Sequence, residues 1–143
     1  MEFFGTLDDA NRISLPAKVR GGKEIKNLIL TKGMNKCIWV FLPEEWEKFS
    51  KSFIYPETLS LNKQLKMQSH FISPKAEVEI DKAGRITIPP TLRKYACLSR
   101  DCILMEVVNR LEIWDSNQYE AYSNAIAEDI PGILEEMGPF LSS

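Results

Sequence analysis

The sequence contains few of the residues on which metal sites and disulfide-bonded folds depend. Its 143 residues include three cysteines and one histidine. Cys37, Cys97 and Cys102 form no Cys-x-x-Cys pair and have no histidine close by, which argues against both a disulfide framework and a zinc site. We therefore expect no metal and no cofactor, and we interpret the cysteines as free thiols of a reducing cytoplasm.

Long hydrophobic stretches are also missing. No apolar run approaches the roughly 20 residues that a transmembrane helix needs. Glu2 and Gly5 interrupt the opening segment and no cationic stretch precedes it, so the segment does not resemble a signal peptide. These features predict a cytoplasmic protein without a membrane partner.

The motifs of common catalytic sites are absent as well. The sequence has no Gly-rich phosphate loop, no Ser nucleophile elbow and no cluster of carboxylates. The single histidine, His70, lies in a polar segment, and we interpret it as a solvated or connecting residue rather than a general base. The sequence therefore predicts neither an enzyme nor a small-molecule substrate.

The strongest pattern that is present is a duplication. Residues 8–20 recur as residues 81–93, with six of thirteen positions identical at a spacing of 73. The same spacing aligns further apolar and aromatic pairs: Ile38 with Leu111, Val40 with Ile113, Phe41 with Trp114, Trp46 with Tyr119 and Phe49 with Tyr122. Two distant blocks in one register indicate a duplicated module.

Each copy opens with a predicted β-hairpin. Residues 3–7 and 76–80 are strand-like, a four-residue turn follows, and Arg-Ile-Ser-Leu or Arg-Ile-Thr-Ile then alternates with period two. This alternation puts Ile13 and Ile86 inside. Gly84 suits a turn that needs a positive φ, and Asn11 is the next most tolerant residue at the same place in the first copy.

A short helix, two strands and a longer helix are predicted to complete each copy. Prolines after the hairpin end its second strand and suit the start of a helix of about two turns. The predicted strands cover residues 27–32, 36–42, 102–108 and 110–115. In the helices that follow, aromatic residues spaced three apart share one face and are predicted to pack in the core: Trp46 with Phe49, and Tyr119 with Tyr122.

The duplication divides the chain into four segments. We expect a first repeat over residues 1–54, a connector over 55–75 with a helix from about Leu61, a second repeat over 76–128 and a tail over 129–143. Prolines at 131 and 139 predict that the tail is irregular from Gly132 onward.

Charge is distributed unevenly although the net charge is only −2. Residues 10–36 contain seven Lys or Arg and one acid, and residues 82–100 contain five and none. From residue 101 to the end there are nine acids and one base. Basic residues near both hairpins can attract phosphate, so the repeated asymmetry favours a nucleic-acid surface over a merely solvated face.

The pattern Asp-x-x-x-Arg-Ile-x-[Leu/Ile]-Pro-x-x-x-Arg, present twice, resembles the MraZ family, a two-repeat branch of the AbrB and SpoVT-type DNA-binding proteins. Phe4-Gly5-Thr6 and residues 111–115 (Leu-Glu-Ile-Trp-Asp) add to the resemblance, which extends from Phe3 to about Ala127. It implies an α+β fold of two tandem AbrB-like repeats, each a swapped-hairpin, β-barrel-like unit with short flanking helices, and a homo-oligomeric ring.

The resemblance also implies a function. The implied function is that of a transcriptional regulator, usually a repressor, in the cytoplasm and associated with the nucleoid. Such a regulator binds double-stranded DNA at direct repeats in promoters. The implied promoters are those of the division and cell-wall gene cluster and of the regulator's own gene. The hairpin residues that carry DNA binding in the family map onto Asp8 with Arg12 and Asp81 with Arg85. To these we add the basic residues beside the hairpins: Lys18, Arg20, Lys82 and Arg93.

The sequence departs from the family pattern in two ways and leaves two alternative functions open. Ala10-Asn11 replaces the family's Lys-Gly before the first Arg, so the first turn is expected to contact phosphate more weakly than the second, which keeps Lys82 and Gly84. The overall charge is also mildly acidic. The alternative function is that of an antitoxin-like relative that binds DNA and a protein toxin. A structural ring whose hairpins bind protein is a further possibility.

Overall fold

The structure, a computed structural model, describes residues 1–20, 25–52 and 59–138. The strands in these ranges are β1 (Glu2–Thr6), β2 (Arg12–Ser14), β3 (Asn27–Lys32), β4 (Ile38–Phe41), β5 (Ala76–Glu79), β6 (Arg85–Thr87), β7 (Asp101–Val107) and β8 (Arg110–Asp115). The helices are α1 (Ala17–Arg20), α2 (Pro43–Lys51), α3 (Leu61–Met67), α4 (Pro90–Tyr95) and α5 (Ser116–Glu136), and a π-helical turn (Gln68–Ile72) continues α3.

The two copies have the same order of elements. β1, β2, α1, β3, β4 and α2 correspond in turn to β5, β6, α4, β7, β8 and α5. The match is residue for residue at β2 and β6, which begin 73 positions apart. The fold is α+β, as predicted, and the duplication is confirmed at the level of secondary structure.

The strands on either side of each turn pair with the other copy rather than with each other. The large antiparallel sheet has the order β1-β7-β8-β4-β3-β5, and β2 pairs with β6 in a separate ribbon. The prediction that β1 pairs with β2 is therefore wrong, because alternation within a strand specifies a buried face but not a partner. The swapped arrangement implied by the family resemblance is present.

One core lies between the six-stranded sheet and the β2–β6 ribbon. Ile13 and Ile86 face each other across the ribbon and are 0% and 1% exposed, as predicted. Each such burial contributes about 1.5 to 3 kcal/mol relative to an exposed side chain. Leu92 of α4 and Ala96, which directly follows α4, are buried in the same core. The ribbon is thus held to the body of the protein by both copies at once.

A second, aromatic core lies on the other face of the sheet. Trp39 and Phe41 of β4 and Trp114 of β8 are buried there, against α2, the π-helical turn and α5. The two predicted aromatic pairs pack as expected: Trp46 with Phe49 against Phe41, and Tyr119 with Tyr122 against Trp114.

The structure describes α1 only as far as Arg20 and places the end of α5 later than the sequence predicts. Four residues of α1 are described, and residues 21–24, which follow them, lie outside the described ranges. α5 continues to Glu136 with Pro131 inside it, so the prediction of an irregular segment from Gly132 is wrong as far as Glu136. Proline removes one helical hydrogen bond, but the residues on both sides of Pro131 remain helical. Residues 139–143 lie outside the described ranges. None of the described helices is long and apolar enough to cross a membrane.

Candidate nucleic-acid interface

The first turn is organised by the carboxylate of Asp8. One carboxylate oxygen, Oδ1, accepts hydrogen bonds from the backbone N–H of Ala10 at 2.9 Å and of Arg12 at 2.8 Å. The other, Oδ2, accepts from Nε of the Arg12 side chain at 2.9 Å. The same side chain therefore ties down the turn and orients the guanidinium group.

The second turn repeats this geometry. Oδ1 of Asp81 accepts from the backbone N–H of Ala83 and of Arg85, both at 2.9 Å, and Oδ2 accepts from Nε of Arg85 at 2.9 Å. The fourth residue of each turn, which precedes the arginine, takes a positive φ, 60° at Asn11 and 80° at Gly84, as the sequence predicted. A left-handed residue is required here because the chain must reverse within four residues.

Hydrogen bonding lowers the pKa of both carboxyl groups. The backbone N–H of Arg12, followed by its guanidinium, holds the pKa of Asp8 below its ordinary value of 3.8. The backbone N–H and side chain of Arg85 do the same for the pKa of Asp81. Each Asp–Arg pair is thus neutral as a unit at physiological pH. The pair therefore adds no net charge to the surface, and what it provides is an arginine held in a fixed orientation.

The guanidinium groups are held by one edge only. Within the described ranges, the carboxylate of Asp8 is the single acceptor bonded to the Arg12 guanidinium, and Asp81 has the same role for Arg85. The side chains of Arg12 and Arg85 are 37% and 33% exposed. Because only Nε is bonded to the carboxylate, the two terminal amino groups of each arginine remain as a fork of hydrogen-bond donors.

The swapped ribbon brings the two arginines onto one surface. In its register Arg12 faces Thr87 and Ser14 faces Arg85, while the two isoleucines between them point into the core. Side chains two residues apart on a strand, and directly opposite across an antiparallel pair, share a face. The four outward residues therefore form one patch, which we call the ribbon face. By this register Arg12 and Arg85 are diagonal neighbours, about 7 to 8 Å apart between backbones.

Ser14 and Thr87 were not singled out from the sequence. Both are exposed, and they complete the ribbon face between the two arginines. Period-two alternation places each of them on the same side of its strand as the neighbouring arginine, which is a signal available from sequence. That each lies opposite the other copy's arginine depends on the strand swap.

The other predicted DNA-contact residues differ in their surroundings. Lys82 lies exposed in the second turn, where the first turn has Asp9. Lys18 is exposed on α1, with its amino group 3.4 Å from the sulfur of Met1. Arg93 on α4 is half-buried, and its Nε is buried without a hydrogen-bond acceptor in the described structure. Arg20 is the last described residue of α1, and nothing of its side chain is described.

No described part of the structure groups three or more His, Cys, Asp or Glu side chains in a way that could hold a metal ion. His70 instead connects elements of both copies. Its Nε2 donates to the carbonyl of Gly33 at 2.9 Å, and the hydroxyl of Tyr95 donates to the same oxygen at 2.7 Å. Of the two interpretations left open for this histidine, the connecting role matches these contacts.

The family comparison matches both copies. The profile of the family described as "MraZ protein, putative antitoxin-like" matches residues 2–65 and 71–133. The chain is 37% identical to the Transcriptional regulator MraZ of Treponema denticola over 137 residues, which is 96% of this chain and 95% of the relative.

Other relatives carry the same name. The protein from Treponema pallidum subsp. pallidum is 38% identical over 116 residues, 81% of this chain and 78% of its own length. The protein from Natranaerobius thermophilus is 34% identical over 139 residues, 97% of this chain and 96% of its own length. With the repeat, the swapped fold and these matches together, the chain belongs to the MraZ family.

Proposed function

We propose that this protein is a sequence-specific, DNA-binding transcriptional regulator that contacts DNA through the ribbon face. The observation that carries the proposal is the pair of guanidinium groups, each held by an aspartate in the same geometry and both on one exposed surface. The names of the relatives, which describe regulators rather than enzymes, support the same function.

The geometry of the arginines suits recognition of guanine. An arginine whose two terminal amino groups are free can donate two parallel hydrogen bonds to O6 and N7 of guanine in the major groove, or clasp a phosphate. A two-stranded ribbon is narrow enough to enter that groove. Since Asp8 and Asp81 already hold their arginines, less side-chain entropy is lost on binding.

The basic residues outside the two Asp–Arg pairs are proposed to attract the DNA phosphates. The Asp–Arg pairs are neutral as units, so we assign the long-range attraction to Lys18 and Lys82, with Arg20 and Arg93 as additional basic residues beside the turns. Each cation that neutralises one phosphate makes binding more sensitive to salt. Lys82 gives the second turn a cation that the first turn lacks.

One ribbon face is too small for tight binding. Non-specific contacts of this kind give dissociation constants of roughly 1 to 100 µM at physiological salt. We therefore propose a homo-oligomeric ring that presents several ribbon faces to closely spaced direct repeats, which raises affinity without new contacts. The proposed promoter targets are the division and cell-wall gene cluster and the protein's own gene, with repression as the outcome and the nucleoid of the cytoplasm as the location.

The antitoxin-like alternative is less well supported. The family description contains that word, but the profile matches the second half of the chain as another full repeat rather than leaving it as a toxin-binding tail. We retain the division into repeats at residues 1–54 and 76–128, a connector at 55–75 and a tail at 129–143 as a proposal about sequence modules. In three dimensions the two modules share one sheet.

Titration of the DNA upstream of the protein's own gene tests this function. The wild-type protein is expected to shift that DNA at moderate salt and to protect closely spaced repeats from cleavage. Lys48→Ala is the matched control, because Lys48 is an exposed cation on α2, on the opposite side of the sheet from the ribbon. Binding to unrelated DNA with the same affinity would refute sequence-specific regulation.

A further inference from the structure

The last part of α5 is a helix that no other described element covers. Every residue from Ser123 to Met137 is exposed. Five of them are large and apolar, between 39% and 47% exposed: Ile126, Ile130, Ile133, Leu134 and Met137. Their spacing of three and four residues puts them on one side of the helix. An apolar stripe of this kind is normally covered by another element.

The charge of α5 restricts what can cover the stripe. The helix contains five acids and no Lys or Arg. Asp129 and Glu136, seven residues apart, flank the stripe on one side. Two such helices packed on each other would bring acids of like charge together, which is unfavourable. A neutral or basic apolar surface is the better partner.

The connector helix α3 offers such a surface. Leu61 and Leu65, one turn apart on α3, are 71% and 51% exposed. Leucine side chains in a folded protein are more often buried. α3 carries Lys63 and Lys66 and no acid. With the π-helical turn it spans residues 61–72, which is similar in length to the exposed part of α5. The two helices therefore match in apolar character, length and sign of charge.

We propose that the stripe of α5 packs on α3 of a neighbouring copy of this chain. Within one chain both surfaces remain exposed, so each is available to another molecule. Because the two surfaces are different, the contact is head-to-tail, and each copy uses its α5 for one neighbour and its α3 for the other. Contacts of that type form rings when the rotation closes. The proposal rests on the assembly in the proposed function and names the surfaces that make it.

Two single substitutions separate head-to-tail packing from self-pairing. Ile130→Asp alters the α5 stripe and Leu65→Asp alters α3, and both side chains are exposed in the single chain, so circular dichroism is expected to show unchanged folding. In sedimentation experiments the wild type is expected to assemble beyond a dimer, while each variant alone is expected to be monomeric. An equimolar mixture is expected to form a 1:1 heterodimer and nothing larger, because only one intact pair of surfaces remains.

Further outcomes of the same experiment are decisive. Adding Asp129→Lys and Glu136→Lys to the Leu65→Asp chain is expected to weaken the heterodimer at least tenfold, since that chain contributes the α5 surface. Assembly of Leu65→Asp like the wild type would show that α3 is not the partner and overturn the proposal. So would assembly of Ile130→Asp, or a monomeric wild type. DNA binding by the same variants is measured separately: weak, salt-dependent binding by the monomers supports the ribbon face even if the α5–α3 contact is wrong.

Discussion

The first turn (residues 8–12) and the second turn (residues 81–85) have the same geometry and different charge. In both, an aspartate accepts from two backbone N–H groups and from Nε of an arginine, with the distances agreeing to within 0.1 Å. The first turn carries Asp9 and Asn11 where the second carries Lys82 and Gly84. Both copies of the module therefore have the aspartate that orients the arginine, but they differ in the charge beside it. The orientation of the arginine and the electrostatic attraction to DNA can thus be changed independently by substitution.

Loss of both oriented arginines is expected to have the largest effect on DNA binding, because it removes the feature that the two turns share. Arg12→Ala with Arg85→Ala is expected to abolish specific binding to the promoter, because neither turn can then donate to a base. Titration at fixed salt measures the effect, with Lys48→Ala expected to bind like the wild type. Specific binding by the double variant within tenfold of the wild type would mean that the ribbon face does not read DNA.

Single substitutions rank the two turns. Loss of one bidentate guanine contact costs about 1 to 3 kcal/mol per site. We expect Arg85→Ala to weaken binding at least as much as Arg12→Ala, since the exposed Lys82 adds a cation to the second turn where the first turn has Asp9. In an assembly that engages several copies, the measured loss should exceed the single-site figure. A crippling Arg12→Ala beside a harmless Arg85→Ala would reverse the ranking.

The sequence predicted the turns much better than the contacts between the copies. Local chemistry was sufficient for the positive φ of Asn11 and Gly84, and alternation was sufficient for the buried Ile13 and Ile86. β3 and β8 also have the predicted bounds. These features depend on residues within a few positions of each other.

The remaining features depend on distant residues. The sequence of neither hairpin specifies that β2 pairs with β6. Periodicity alone therefore could not predict that Arg12 and Arg85 lie close together across the ribbon, which follows from the swapped fold that the family resemblance implies. The helical course of residues 132–136 was missed because Pro131 and Gly132 are local breaker signals. The helical spacing of the apolar residues that continue through this segment indicates a helix, against the local signals of proline and glycine.

A charge exchange tests whether the two turns differ mainly in electrostatics. Asp9→Lys makes the first turn resemble the second at this position, and Asp9 is exposed, so folding should be unaffected. We expect tighter binding at low salt and a steeper salt dependence, with a slope larger by about 0.9 if the new lysine neutralises one phosphate. Lys82→Asp should have the opposite effect. Unchanged slopes in both variants would mean that neither position lies near the DNA backbone.

Acid titration gives the smallest expected effect and tests the shared geometry. The folded-state pKa of Asp8 and of Asp81 lies below 3.8, so the stabilisation that each carboxylate gives is present above that value and is lost as the pH falls through the lowered pKa. Carboxyl resonances followed by NMR should titrate with both midpoints below 3.8. A midpoint at or above the ordinary value for either residue would mean that its turn is not organised in solution as described.

Methylation protection of guanine N7 tests the central claim most directly, because the oriented arginines are proposed to occupy that atom in the major groove. With the wild-type protein bound to the DNA upstream of its own gene, guanines in each direct repeat should resist dimethyl sulfate. At protein concentrations that keep the DNA occupied, Arg12→Ala and Arg85→Ala should each restore methylation at distinct guanines. Full protection in both variants, or none in the wild type, would contradict guanine recognition by the ribbon face.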